Sequence, residues 1–313
     1  MILPPFRAGH HALGGSCHVW LQPDGGWGLS NAGLIAGDGA SMLVDTLFDV
    51  RLTKRMLDGF AGTTARNPIT TLVNTHGNPD HWFGNQLLID AEIIAAGGSA
   101  REMREVGPRE VREMCASEGP GGAFANAVFG RFALDEVVPV YPTLTFEDRM
   151  NLEIGGIEIQ LIDVGPAHTD ADTIVYVPSA RTVFTGDIVF AGATPVVWAG
   201  SLSNWLKACR TLLDLDVDTI VPGHGPVTGK ETVRETEAYF EFLLEEASSR
   251  FAAGMPVTEA VADIELGRFA RLGESERLAV NVHAIYRELD PTMPPLLGPQ
   301  AFGCMAALRK EPS

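Results

Sequence analysis

The apolar run Ile69–Val73 ends in Thr75-His76-Gly77-Asn78-Pro79-Asp80-His81, and no other stretch constrains the fold of this chain as tightly. The run itself reads as a buried strand. Before it, Leu52, Met56, Leu57 and Phe60 recur at helical spacing over 51–60, so a helix feeds the strand. Alternation of this kind implies helices layered on a sheet. Such folds set their chemistry at the C-terminal ends of strands, which is where two histidines and an aspartate sit here. One residue is out of character: where a metal site would want a third nitrogen, the chain has Asn78.

The flanking sequence completes an α/β pattern. Residues 17–22, 27–35 and 41–47 alternate as a three-stranded meander, with turns at Pro23-Asp24-Gly25-Gly26 and Gly37-Asp38-Gly39. From Leu144 short β runs recur as far as 185. A helix over 205–213 precedes a strand at 219–221. From Glu231 the chain reads as helical, closing in a Pro-rich loop and a short apolar turn. Each half thus repeats meander, strand and helix. Residues 98–137 break that rhythm and read as a helical insertion, interrupted at Gly119-Pro120-Gly121-Gly122. Phe124, Val128, Phe129 and Phe132 follow at helical intervals, as core or as the wall of a substrate lid. The expectation is one domain over 1–313, with a candidate lid at 98–137 and a helical C-terminal extension over 231–313.

Charge excludes some partners. With 23 basic and 40 acidic residues, the formal net charge of -17 repels nucleic acid and anionic membrane surfaces. No segment nears the ~18 to 20 apolar residues that span a bilayer, and no charged-then-apolar leader opens the sequence. Cys17, Cys115, Cys209 and Cys304 form no CxxC pair and read as free thiols. A cytoplasmic protein with a small-molecule partner is expected; nothing in the pattern sets an oligomeric state.

Ligand-type side chains stand at three further strand ends. His168 lies in Gly165-Pro166-Ala167-His168-Thr169-Asp170, Asp187 in Phe184-Thr185-Gly186-Asp187, and His224 in Val221-Pro222-Gly223-His224-Gly225-Pro226. A metal needs convergent donors on rigid loops, and Gly and Pro at each junction make tight ones. Four such junctions in one chain point to a single metal site. The other histidines look structural or exposed. His10 and His11 fall in a stretch read as a flexible N-terminus, His18 in a strand, and His283 on the last helix near Tyr286.

Taken together, the set resembles the metallo-β-lactamase superfamily, whose pattern is HxHxDH, then a later His, a later Asp and a final His. The resemblance covers about 17–230. It implies a four-layer αββα sandwich with a dinuclear zinc site at one edge. Carried over residue by residue, His76, Asn78 and His168 would hold one ion. Asp80, His81 and His224 would hold the second, and Asp187 would bridge the two. Asp45 resembles the family's buried aspartate, which supports the metal loops. The departure is Asn78, because an amide oxygen is a weaker donor to zinc than imidazole. Three outcomes stay open: an oxygen ligand in a two-metal site, an empty first site, or a harder ion such as iron or manganese. Two zinc ions, with the Asp80/His81/His224 site the tighter, are the expectation.

The resemblance further implies a hydrolase in which a metal-activated water attacks, with Asp80 orienting it or shuttling its proton. No GxSxG frame offers a serine nucleophile. The aromatic content of the insertion favours an ester, thioester or lactone of a hydrophobic organic molecule. Substrate contacts are expected from Trp27, beside a hairpin loop that is a mobile flap in the superfamily. Trp82 and Phe83, next to the motif, are expected to pack beneath the site, though one could face substrate; further contacts are expected from Phe124 and Phe129 in the insertion, Trp198, and His283. Two other classes compete. One is an aromatic-polyketide cyclase–thioesterase that stabilises an enolate at the metal. The other is a non-catalytic ligand-binding member, to which only Asn78 points.

Overall fold

The computed structural model describes residues 3–296 and 298–309; the remaining ends of the expected domain, and residue 297, lie outside it. Two sheets stack face to face. The first orders seven strands as they occur in the chain: β1 (Gly9–Gly14), β2 (Cys17–Leu21), β3 (Ala32–Ala36), β4 (Ser41–Val44), β5 (Ile69–Val73), β6 (Glu92–Ala96) and β7 (Leu144–Phe146). The second runs in the order β12 (Thr219–Val221), β11 (Thr182–Phe184), β10 (Thr173–Val177), β9 (Ile157–Asp163) and β8 (Arg149–Ile154). Pairing is antiparallel from β1 to β4 and parallel from β4 to β7.

The two-residue period of the strands makes the layers. Met42 and Val44 of β4 pack between the sheets with Val175 and Val177 of β10. Leu43, one residue along, faces the other way. It joins Leu34 and Leu72 against Met56 and Phe60 of α1 (Val50–Thr64). On the second sheet Ile174 and Val183 face Trp205 of α5 (Leu202–Asp214) and Phe240 of α6 (Lys230–Ala252). The result is helix, sheet, sheet, helix, as expected. Asp49 caps α1 by accepting from the Leu52 amide at 2.7 Å. Met56 and Phe60 are fully buried, each worth about 1.5–3 kcal/mol.

Several local expectations differ. The N-terminal stretch is strand β1, where His10 Nε2 meets His18 Nδ1 at 2.9 Å and the His10 ring sits edge-on to Phe60. The second meander strand begins only at Ala32, because Gly28 turns the chain at φ 72°. The insertion holds α2 (Gly97–Glu102), α3 (Pro108–Ala116) and α4 (Pro120–Phe129). Its Pro-Gly-Gly stretch begins α4 and does not interrupt it, since Pro is favoured in a first helical turn. Beyond α6 come α7 (Val257–Asp263), α8 (Leu278–Leu289) and α9 (Gly298–Leu308), the last replacing the expected apolar turn. Helices α4 and α9 touch closely: a Cβ on Gly121 would lie 2.5 Å from the Pro299 carbonyl oxygen. Among the described residues no helix is long and apolar enough to cross a membrane.

Candidate metal centre

Each ligand-type side chain leaves a strand end on a short loop. Pro79–His81 is a single 3₁₀ turn, closed by the His81 amide donating to Asn78 O at 3.0 Å. The loop of His224 is fastened by Asn31, whose Nδ2 donates to Pro222 O and Gly225 O. Within that loop only glycine fits at 223, where a Cβ would lie 1.9 Å from Asp187 Oδ1.

The side chains form two triads. His76, His168 and Asp187 offer ligand atoms within 4.8 Å of one another, and so do Asp80, His81 and His224. Asp187 stands between them. Its carboxylate lies 3.2 Å from His81 Nε2, 3.4 Å from His168 Nε2, 3.4 Å from His224 Nε2 and 3.9 Å from His76 Nε2. Asp80 lies 3.3 Å from His224 Nε2.

Every imidazole in the cluster is held by its other nitrogen. Nδ1 of His81 meets Asp45 Oδ2 at 2.9 Å, that of His168 meets Val196 O at 2.6 Å, and that of His224 meets Gly25 O at 3.0 Å. Those oxygens only accept, so Nδ1 donates to them and Nε2 is the nitrogen that points inward, offering a lone pair whenever the ring is neutral. Thr75 Oγ1 donates to Asp45 Oδ2 at 2.8 Å and therefore accepts from His76 Nδ1 at 3.0 Å. Asp45 thus anchors two of the four rings. Among the described residues the inward Nε2 atoms of His76 and His81 and the Oδ1 of Asp187 make no well-formed hydrogen bond. Buried polar atoms left in that state are costly. A divalent cation would satisfy imidazole lone pairs and carboxylates together. The residues present therefore fit a metal centre.

Proton affinities follow the same geometry. Burial pulls His76 well below the usual imidazole range and His168 down to about 4. Burial also opposes charge on His81 and His224. There the Asp187 and Asp80 carboxylates outweigh it, holding His81 well above its ordinary value and His224 up at about 9. Positive charge gathers where a cation would replace it.

Asn78 reaches the first triad. Its Nδ2 lies 3.1 Å from His168 Nε2, and a half-turn of the amide puts Oδ1 in that place. A cleft of about 250 Å³ opens over the triads, with Asn78, Asp80, His168, Asp187 and His224 in its lining. Of the expected substrate contacts, Trp27, Phe129 and Trp198 line this cleft, and the other four do not. Trp82 and Phe83 are buried among Phe48, Met103 and Leu134, Trp82 donating to Gly77 O at 3.0 Å. The 3₁₀ turn that presents His81 carries the next two side chains into the core. Phe124 stands edge-on behind Trp27, at 6.2 Å. His283 lines a separate cleft with Leu296 and Cys304. Phe48, Glu102, Phe190, Arg277 and Phe302 also line the main cleft and were not foreseen. Each comes from a different element, with no local pattern to mark it.

A profile of the metallo-beta-lactamase superfamily matches residues 25–224, which takes in every one of these donors. The chain belongs to this superfamily. It is 29% identical over 261 residues to the 2,4-dinitroanisole O-demethylase subunit alpha of Nocardioides sp. (strain JS1661), covering 82% of this chain and 70% of that protein. It is 27% identical over 227 residues to a linear primary-alkylsulfatase of Pseudomonas sp. (strain ATCC 19151), covering 62% of this chain and 41% of the relative. A solved stereoselective inverting sec-alkylsulfatase from Pseudomonas sp. superposes with a TM-score of 0.69 at 19% identity, over 97% of this chain and 52% of that one. A metallo-beta-lactamase from Pontibacter korlensis gives 0.57 at 18% identity, over 75% and 99%. The chain thus spans about half the length of the alkylsulfatases it matches. Its superfamily is one of metallo-hydrolases, which bind metal ions, typically zinc.

Proposed function

We propose that the chain is a metal-dependent hydrolase of an ester, thioester or lactone in a hydrophobic organic substrate. The observation that carries this reading is the cleft itself, which sets aromatic walls directly over the donor triads. Trp27, Phe48, Phe129, Trp198 and Phe302 suit an aryl or alkyl body and offer little to a highly charged one. The names of the relatives agree with such a body, one being specified for dinitroanisole and another for linear primary alkyl sulfates.

When bound, a divalent cation would lower the pKa of water to about 7 and polarise the oxygen of the scissile bond. We assign one ion to His76, His168 and Asn78 and a second to Asp80, His81 and His224, with Asp187 shared. The second set has the stronger donors, and Asn78 weakens the first. Asp80 is the only triad residue not fully buried. We assign its carboxylate the role of orienting a water in the cleft and taking its proton. The protein's thiols are not nucleophiles here: none lines the cleft, and burial pushes Cys17 and Cys209 up to about 12.

The test is a panel of aryl esters, acyl thioesters, lactones, alkyl sulfates and aryl methyl ethers, offered to zinc-loaded protein. Turnover of one of the first three, abolished in Asp80→Ala, supports the reading. Turnover confined to sulfates or ethers, or cyclisation of a poly-β-keto thioester without ester hydrolysis, refutes it.

A further inference from the structure

We propose that Arg277 recognises an anionic head, a carboxylate or sulfonate, carried on the apolar body of the substrate. This deepens the hydrolase reading and rests on the cleft being the substrate site. Arg277 lies beyond the span matched by the superfamily, in the 3₁₀ turn Ser275–Arg277 that leads into α8. It lines the cleft although it is only 2% exposed.

Its surroundings hold the guanidinium without pairing it directly: the carboxylates of Glu274, Asp187, Glu276 and Asp80 favour its charge only from beyond ion-pair distance. Nη1 donates to Thr194 O at 2.7 Å. The guanidinium carbon stands 4.2 Å from the centre of the Trp27 ring and 4.9 Å from that of Phe190. Trp27 is itself pinned, its Nε1 donating to Glu276 Oε1 at 3.1 Å. That bond engages one oxygen of the carboxylate adjacent in sequence. Among the described residues Nε of Arg277 is enclosed and makes no hydrogen bond, and no carboxylate lies within ion-pair distance of the guanidinium.

Buried charges are normally paired, and arginine does not escape by losing its proton. Two ring faces and one carbonyl offset part of the desolvation. A purely structural role, fastening the segment of Thr194, accounts for Nη1 and leaves Nε unexplained. A planar guanidinium with Nη1 fixed and Nε still to be satisfied has the fork geometry that matches the two oxygens of a carboxylate or sulfonate. Position sharpens the assignment. Phe190 stacks on the His224 ring at 5.3 Å and 10°, so the guanidinium stands one ring away from a donor of the second triad. An anion there would lie beside the reacting bond and not at the far end of the substrate. The class that fits is an ester bearing an acidic group a few bonds from the carbonyl.

Binding of non-reacting probes tests this apart from turnover. Zinc-loaded wild type, Arg277→Met and Arg277→Lys, each checked for a cooperative thermal melt, would be titrated calorimetrically with phenylacetate, benzenesulfonate and neutral phenylacetamide. Wild type should favour at least one anion over the amide by about tenfold or more, which also tells carboxylate from sulfonate. The preference should collapse in Arg277→Met. It should fall in Arg277→Lys too, because a point charge cannot present the fork. No preference in wild type overturns the proposal. So does a preference of undiminished size in either folded variant, which would place the anion on the metal; the lysine variant decides if the methionine variant does not fold. Anion preference without any ester turnover would remove the hydrolase reading and leave Arg277 standing. Ester turnover with no anion preference would do the reverse.

Discussion

Replacing Asp45 by Asn exchanges a carboxylate oxygen for an amide nitrogen at the point where the end of β4 ties down both ends of the loop from Thr75 to His81. Oδ1 of Asp45 accepts from the Thr75 amide at 2.7 Å, while Oδ2 accepts from Thr75 Oγ1 at 2.8 Å and His81 Nδ1 at 2.9 Å. Asparagine has the same shape and tolerates the backbone at φ 62°. Its oxygen can keep the bond to the Thr75 amide. Its Nδ2 then faces two donors. The Thr75 hydroxyl can rotate to accept, but the imidazole of His81 can accept only by moving its proton to Nε2. That nitrogen points into the cluster, so the second triad loses a lone pair. Loss of such a supporting contact typically costs 10- to 100-fold in metal affinity, or about 1.4–2.8 kcal/mol. Zinc affinity at the Asp80/His81/His224 site should fall by that factor. The fold should survive, because a domain holds about 5–15 kcal/mol in reserve. A chelator competition titration reads the affinity, and the ¹⁵N shifts of His81 report its tautomer. Affinity within twofold of wild type, with the proton still on Nδ1, would refute the reasoning.

Asn78→His should strengthen the first site by about tenfold or more, since imidazole replaces a neutral amide donor. Metal content after dialysis, by mass spectrometry, would rise toward two ions per chain; unchanged content and affinity would show that Asn78 stands outside the site. Burial, with Asp172 and Asp170 nearby, pushes the Glu102 carboxyl up to about 8, and among the described residues its Oε2 makes no hydrogen bond. The folded state then holds that proton more tightly than the unfolded chain. Stability from this group is greatest at low pH and falls by about 1.4 kcal/mol per unit between roughly pH 4.5 and 8. Glu102→Gln should remove that slope, so that metal-stripped variant gains on wild type as pH rises through this window and levels off above it. Urea unfolding curves that keep the same separation at every pH would contradict the assignment.

The donors were legible in the chain because each lies within a few residues of a strand end, and Gly or Pro fixes the loop locally. His76, Asp80 and His81 share one loop after a strand, while His168, Asp187 and His224 each follow a strand end in the same way. The four layers were legible for a similar reason, since two-residue and helical periods are properties of neighbouring residues. Strand β1 was not, because its mixed sequence becomes a strand only by pairing with β2. Trp82 and Phe83 adjoin the motif yet turn into the core, whereas Phe302 lies far from it in sequence and lines the cleft. Arg277 is the plainest case. Its partners Trp27, Phe190 and Thr194 are at least 83 residues away. Amino-acid order alone determined which side chains could hold a metal, since local backbone geometry presents them. Which side chains wall the cleft above it was decided by tertiary packing, because that surface is assembled from segments that meet only when the layers close.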